Sequence, residues 1–64
     1  ESMFSALVEA AMEKARFRQL EDGTYYGEIE VYPEVYATGA TLEECRRELE
    51  EVLIEWLQDR LSRP

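Results

Sequence analysis

Residues 25–56 read YYGEIEVYPEVYATGATLEECRRELEEVLIEW, a strand pattern that gives way to the start of a long helix. The helix start is the sharpest signal. Thr41-Leu42-Glu43-Glu44 has the form of a capping box, in which the Thr41 hydroxyl accepts from the Glu44 amide and the Glu44 carboxylate reaches back to the Thr41 amide. Glu43 and Glu44 also set negative charge at the positive end of the helix dipole. Beyond the cap, Leu42, Cys45, Leu49, Val52, Leu53, Trp56 and Leu57 recur at the spacing of one helical face, which predicts a helix from Leu42 to about Leu61. Before it, Tyr25, Gly27, Ile29 and Val31 alternate with Tyr26, Glu28, Glu30 and Tyr32, the period of a strand with one buried face. Gly39, two residues ahead of the cap, lets the chain turn sharply out of a strand. The ribbon and the helix bury their apolar faces together only if the helix lies on the ribbon.

Working outward, Lys14 to Leu20 reads as a first strand, with Arg16 and Arg18 alternating with Ala15 and Phe17. Glu21-Asp22-Gly23 is the hairpin loop that joins it to a second strand from about Thr24 to Tyr32. A two-residue turn at Asp22-Gly23 sets Phe17 on the face of Glu28. A three-residue loop pairs Phe17 with Gly27 and Arg16 with Glu28, and only this register keeps apolar residues on one side. Such a loop calls for Gly in the left-handed conformation at its third position, where Gly23 stands. Phe17 then covers the bare Gly27 across the ribbon. Pro33-Glu34 ends the second strand, because proline has no N–H for a ladder, and Val35 to Thr38 makes a short third strand. At the other end, Met3 to about Met12 is a helix with Phe4, Leu7, Val8 and Ala11 on one face and Ser2 or Ser5 as its cap. The expected fold is therefore α+β, ordered helix-strand-strand-strand-helix: a three-stranded antiparallel meander with the long C-terminal helix packed on one face. It forms one domain over 1–64, with residues 1–13 as an N-terminal helix extension and 14–61 as strands plus long helix.

A chain of 64 residues buries a small core, only ~60% of its unfolded surface. With one Cys and no His, neither an internal disulfide nor a structural zinc site is expected to reinforce it. Oligomerisation remains, and a homo-oligomer is expected, most simply a dimer. Ile54 and Leu61 lie outside the main apolar stripe of the last helix and are the candidate oligomer contacts, or else contacts to the first helix. The net charge of −8 argues against direct binding to nucleic acid or to an anionic membrane surface. It suits either a solvated surface or a basic partner. No apolar run approaches the ~20 residues of a membrane span and no signal peptide is visible, which points to a cytoplasmic protein. Glu1-Ser2 ahead of Met3 reads as a vector remnant.

No residue set supports catalysis. Without His there is no Ser-His or Cys-His pair. Cys45 stands in the first turn of the last helix but on its apolar face, and reads as a small buried hydrophobe. Glu28 and Glu30 on the ribbon, and Glu48, Glu51, Glu55 and Asp59 on the helix, read as solvated carboxylates with basic neighbours rather than as an acid–base pair or a metal site. No cofactor is expected. Gly39-Ala40-Thr41 opens a helix, but the cap and the Glu pair already occupy the place an anion would take. What remains is a surface: Tyr26, Tyr32 and Tyr36 fall opposite Ile29 and Val31, and with Glu28 and Glu30 they are the candidate partner-binding residues. Ordinary cross-strand packing is the competing explanation of the same residues.

Tyr26-Gly27 in a strand, the turn at Pro33, the short strand Val35 to Thr38, then Gly39-Ala40-Thr41, the pair Glu43-Glu44 and the helix Leu49 to Leu61 resemble the HicB antitoxin family. The resemblance runs from about Lys14 onward and is most specific over Gly39-Ala40-Thr41-Leu42-Glu43-Glu44. Where the family has Pro-Gly this chain has Pro33-Glu34, and where it has Ala this chain has Cys45. The segment that many members use to bind DNA has no counterpart here. The resemblance implies a short HicB-type domain of partial ribonuclease H-like fold. It also implies a non-enzymatic role, in which the partner is a small basic RNA-cleaving toxin of the HicA type, neutralised by occlusion. The alternative is a stand-alone oligomeric protein, a small-molecule sensor or structural subunit, with no toxin partner.

Overall fold

The computed structural model describes residues 2–63. Five elements follow in the expected order: α1 (Met3–Glu13), β1 (Ala15–Gln19), β2 (Tyr25–Ile29), β3 (Tyr36–Gly39) and α2 (Leu42–Ser62). The strands form one antiparallel sheet in the order β1-β2-β3. Both helices lie on the same side of it. Ile29, Val35 and Ala37 from the sheet side meet Cys45, Leu49, Leu53 and Leu57 of α2 and Val8, Ala11 and Met12 of α1, all buried. Each fully buried Leu or Ile stabilises by roughly 1.5–3 kcal/mol relative to exposure, so α2, with Leu49 and Leu53 fully buried and Leu57 nearly so, is the main source of cohesion.

Local chemistry sets the ends of the elements. Ser2 caps α1, its hydroxyl accepting from the Ser5 amide at 3.0 Å. Thr41 caps α2 in the same way, accepting from the Glu44 amide at 3.0 Å. The hairpin has the expected three-residue loop: the Leu20 amide donates to the Thr24 carbonyl at 2.7 Å and the Gly23 amide to the Leu20 carbonyl at 3.0 Å. Gly23 has φ +91°, the left-handed conformation the loop calls for. Asp22 braces the loop by accepting from both the Thr24 amide and hydroxyl, and these bonds hold its carboxyl below its ordinary pKa. Phe17 faces Gly27 and Arg16 faces Glu28 in the ladder, and the Phe17 ring covers the space above Gly27 that a β-carbon would take.

Three expectations are corrected. β2 stops at Ile29, not Tyr32, because the chain makes two successive turns: the Tyr32 amide donates to the Ile29 carbonyl at 3.0 Å and the Val35 amide to the Tyr32 carbonyl at 2.8 Å. The strand alternation therefore ends early, and Val31, expected inside, is 56% exposed. Gly39 has an ordinary negative φ. Its need for glycine is proximity: a β-carbon there would stand 2.5 Å from the Cys45 nitrogen and 2.8 Å from its α-carbon. Finally, Leu42 is half-exposed at the start of α2, outside the apolar stripe it was expected to join.

Candidate functional site

Because both helices share one side of the sheet, the other side is left bare. Side chains alternate along strands, so the bare face carries Arg16 and Arg18 from β1, Tyr26 and Glu28 from β2, and Tyr36 and Thr38 from β3. Tyr26 and Tyr36 stack on this face with ring centroids 6.3 Å apart and planes inclined by 24°. The Arg18 guanidinium lies over Tyr26 at 5.1 Å from the ring centroid, a cation–π contact. Tyr36 remains 57% exposed. The face carries an aromatic pair bordered by charge, with a cleft lined by Arg16, Phe17, Arg18, Tyr26 and Glu28 beside it.

Of the five partner-binding candidates, the structure brings Tyr26, Glu28 and Tyr36 together there. It does not bring Tyr32 or Glu30. Tyr32 lies past the end of β2, in the double turn, and points to the helix side, where its ring meets Trp56 with centroids 4.9 Å apart. Glu30 stands exposed in the same turn, off the ladder. The turns break the period of two on which both placements depended. The surroundings also differ from a purely acidic face, since Arg16 sits opposite Glu28 and Arg18 opposite Tyr26. Those arginines were legible in the register but were not counted as part of the surface.

The acidic charge gathers on α2. Glu48, Glu51, Glu55 and Asp59 are exposed along the helix, and Asp59 is paired with Arg63 at 3.0 Å. One carboxylate has a built environment that sequence reasoning missed. Glu34 Oε1 accepts from the Trp56 indole N–H at 2.9 Å and from the Arg60 guanidinium at 3.2 Å. Arg60 in turn lies over the Trp56 ring at 4.6 Å from its centroid. The indole hydrogen bond first, then Arg60, hold the Glu34 carboxyl below its ordinary pKa. This cluster clamps the double turn to α2. Its signal in the sequence was Arg60 within the apolar stripe, one turn after Trp56.

Cys45 is fully buried beneath Ala37, with its Sγ 3.6 Å from the Ala37 carbonyl oxygen. Burial pushes the thiol pKa up, the opposite of a reactive thiolate. Of the two oligomer candidates, Ile54 is half-buried and lines a groove with Phe4 and Val8 of α1, so its apolar surface is met within the chain. Leu61 stays 67% exposed. Among the described residues no cluster of three or more His, Cys, Asp or Glu forms that could hold a metal ion. No described helix is long and apolar enough to cross a membrane.

A family model described as UPF0150-like matches residues 6–64. The chain belongs to the UPF0150-like family. This UPF0150-like chain is similar to TTHA0281 from Thermus thermophilus, whose crystal structure superposes with a TM-score of 0.90 at 40% sequence identity, over 95% of this chain and 76% of that one. No curated protein matches it.

Proposed function

We propose that this UPF0150-like chain is a non-enzymatic protein-binding module, a HicB-like antitoxin that holds a basic RNA-cleaving toxin of the HicA type inactive by occlusion. The observation that carries the reading is the bare sheet face with its Tyr26–Tyr36 stack. A stacked pair of tyrosines, Tyr36 exposed and Tyr26 half-buried, beside an arginine is the composition found at the centre of protein interfaces, where Tyr and Arg are enriched and Lys is depleted. The net charge of −8 supports a basic partner, since opposite charge speeds encounter and suppresses wrong partners. The identity of that partner rests on the resemblance carried by Gly39-Ala40-Thr41-Leu42-Glu43-Glu44.

The test is co-purification with the product of the adjoining gene. A small basic protein with one catalytic His, bound and inhibited by this chain, is the expected result. Tyr26→Ala combined with Tyr36→Ala weakens the complex at least tenfold with the circular dichroism spectrum unchanged. A neighbour that is neither basic nor bound overturns the antitoxin reading. The second reading, a self-assembling sensor or structural subunit, is favoured by the exposed apolar residues Met3, Leu7, Val31 and Leu61. It predicts assembly of the chain alone and no toxin.

A further inference from the structure

The sheet has two free edges, and they differ. β1 carries Arg16 and Arg18, with Lys14 just before it. Cationic side chains on an edge strand are a standard means of discouraging further strand pairing. β3, Tyr36–Gly39, carries no charge and no proline. Its outward groups follow from the hairpin. The Leu20 amide bonds to the Thr24 carbonyl, so Leu20, Arg18 and Arg16 face β2 through their backbone, and on β2 it is Tyr26 and Glu28 that face β1. Tyr25, Gly27 and Ile29 therefore face β3, where their partners include Ala37 and Gly39. The N–H and C=O groups of Tyr36 and Thr38 are left pointing away from the sheet, and no other hydrogen bond among the described residues takes them up.

Above that edge lies one flank of α2. Grooves lined by Glu9, Met12, Arg46 and Glu50, and by Val8 and Ile54, place α1 along the opposite flank. At spacings of four, three and four residues, Glu48, Val52, Glu55 and Asp59 form the row turned away from α1. Cys45 lies against Ala37 of β3, and Trp56 and Arg60 reach Glu34, so Glu48 stands level with β3 and Glu55 level with the turn that precedes it. Below the edge is Tyr36, on the bare face. The edge is thus open backbone with carboxylates on one side and an aromatic ring on the other.

We infer that the β3 edge is where the partner docks, by adding a strand to the sheet. The inference rests on the proposed reading that the partner is basic, and it names the segment that is captured. That segment is an extended strand in which basic side chains alternate with apolar or aromatic ones. Alternation turns the basic set up toward Glu48 and, where the added strand runs on past Tyr36, toward Glu55, and the apolar set down onto Tyr36. Charge selects this occupant over a second copy of the chain. A twofold β3–β3 pairing brings the two rows of carboxylates toward each other, whereas a basic strand neutralises one row.

Amide hydrogen exchange of the chain, free and mixed with the adjoining gene product, tests this together with Thr38→Pro. Proline removes an N–H that points outward and so leaves the ladder to β2 intact. If a complex forms, the Tyr36 and Thr38 amides are expected to become protected, at least tenfold, and Thr38→Pro to weaken binding at least tenfold. Complex formation without protection of those two amides overturns the edge inference and leaves the antitoxin reading standing. No complex with the native chain overturns the reading, and the inference with it. Protection of the two amides in the free chain that grows with its concentration assigns the edge to a second copy and also overturns the inference.

Discussion

Gly39→Ala is the substitution that most directly probes how α2 is seated. The added methyl would lie 2.5 Å from the Cys45 nitrogen, 2.8 Å from its α-carbon and 3.0 Å from the Glu44 carbonyl carbon. All three atoms are backbone in the first turn of α2, so no side chain can swing aside. Relief requires the start of the helix to lift by nearly 1 Å to restore ordinary contact distances of about 3.5 Å. That motion withdraws Cys45 and Leu49, both fully buried, from the sheet. Overpacking of this kind destabilises by about 1–3 kcal/mol, more where the backbone must shift, and Gly39→Ala belongs at about 3 kcal/mol or above. A domain of this length has roughly 3–10 kcal/mol in total, so the variant is largely unfolded or close to it. Gly27→Ala is the internal control. Its methyl meets Phe17 ring atoms at 2.7 and 2.8 Å and the buried Cys45 Sγ at 3.2 Å; the closest contacts are to a side chain, and a ring on a half-buried edge strand can rotate away. A cost of about 1–2 kcal/mol is expected there, recovered in part by Phe17→Leu. Urea unfolding at 25 °C, followed by circular dichroism with the m-value as a check, measures all three. Equal midpoints for Gly39→Ala and the native chain, or a smaller loss than for Gly27→Ala, would refute the close-approach account.

Gly23→Ala meets nothing within 4 Å, so its loss comes from backbone conformation alone at φ +91°, and about 1 kcal/mol is expected by the same urea assay. The Glu34 clamp makes Trp56 a pH reporter. Because the folded pKa of Glu34 is depressed, its contribution is present above the ordinary Glu value near 4.3 and is lost as pH falls through the lower folded value. Trp56 fluorescence is expected to titrate below pH 4.3, and Glu34→Gln to abolish that step; an unchanged titration in Glu34→Gln assigns it to another group. Sedimentation at micromolar concentration is expected to give twice the chain mass or more, with Leu61→Glu shifting the equilibrium toward monomer, and a stable folded monomer in the native chain refutes self-association.

The hairpin was legible down to its register because three local constraints agreed: the glycine position in the loop, the face of Phe17 and the charge of Arg16 opposite Glu28. The start of α2 was legible because Thr41 and the Glu43-Glu44 pair act within one turn. What failed lay where alternation was extended through residues that turn. Tyr32 and Val31 carry strand-like side chains, but Pro33 forces the chain off the ladder, and nothing in their order reveals that the turn begins at Ile29. The Trp56–Glu34–Arg60 contact was hidden for a different reason. Glu34 is separated from Trp56 and Arg60 by more than twenty residues, and only the packing of α2 on the sheet brings them together.

The order of pairing in this fold has a kinetic consequence. β1 pairs with β2, β2 with β3, and α2 packs on β3, so each of these contacts is between neighbours along the chain. Short loops are closed first, and little chain entropy is lost before contacts form. The docking of α1 against α2, and the packing of α2 across β3 onto β2, join more distant parts of the sequence. Domains built from such local contacts refold on roughly the millisecond scale or faster. A nucleus of the β2–β3 hairpin with the first turns of α2 is expected, with α1 settling after the barrier, so that Val8→Ala speeds unfolding while leaving the refolding rate nearly unchanged.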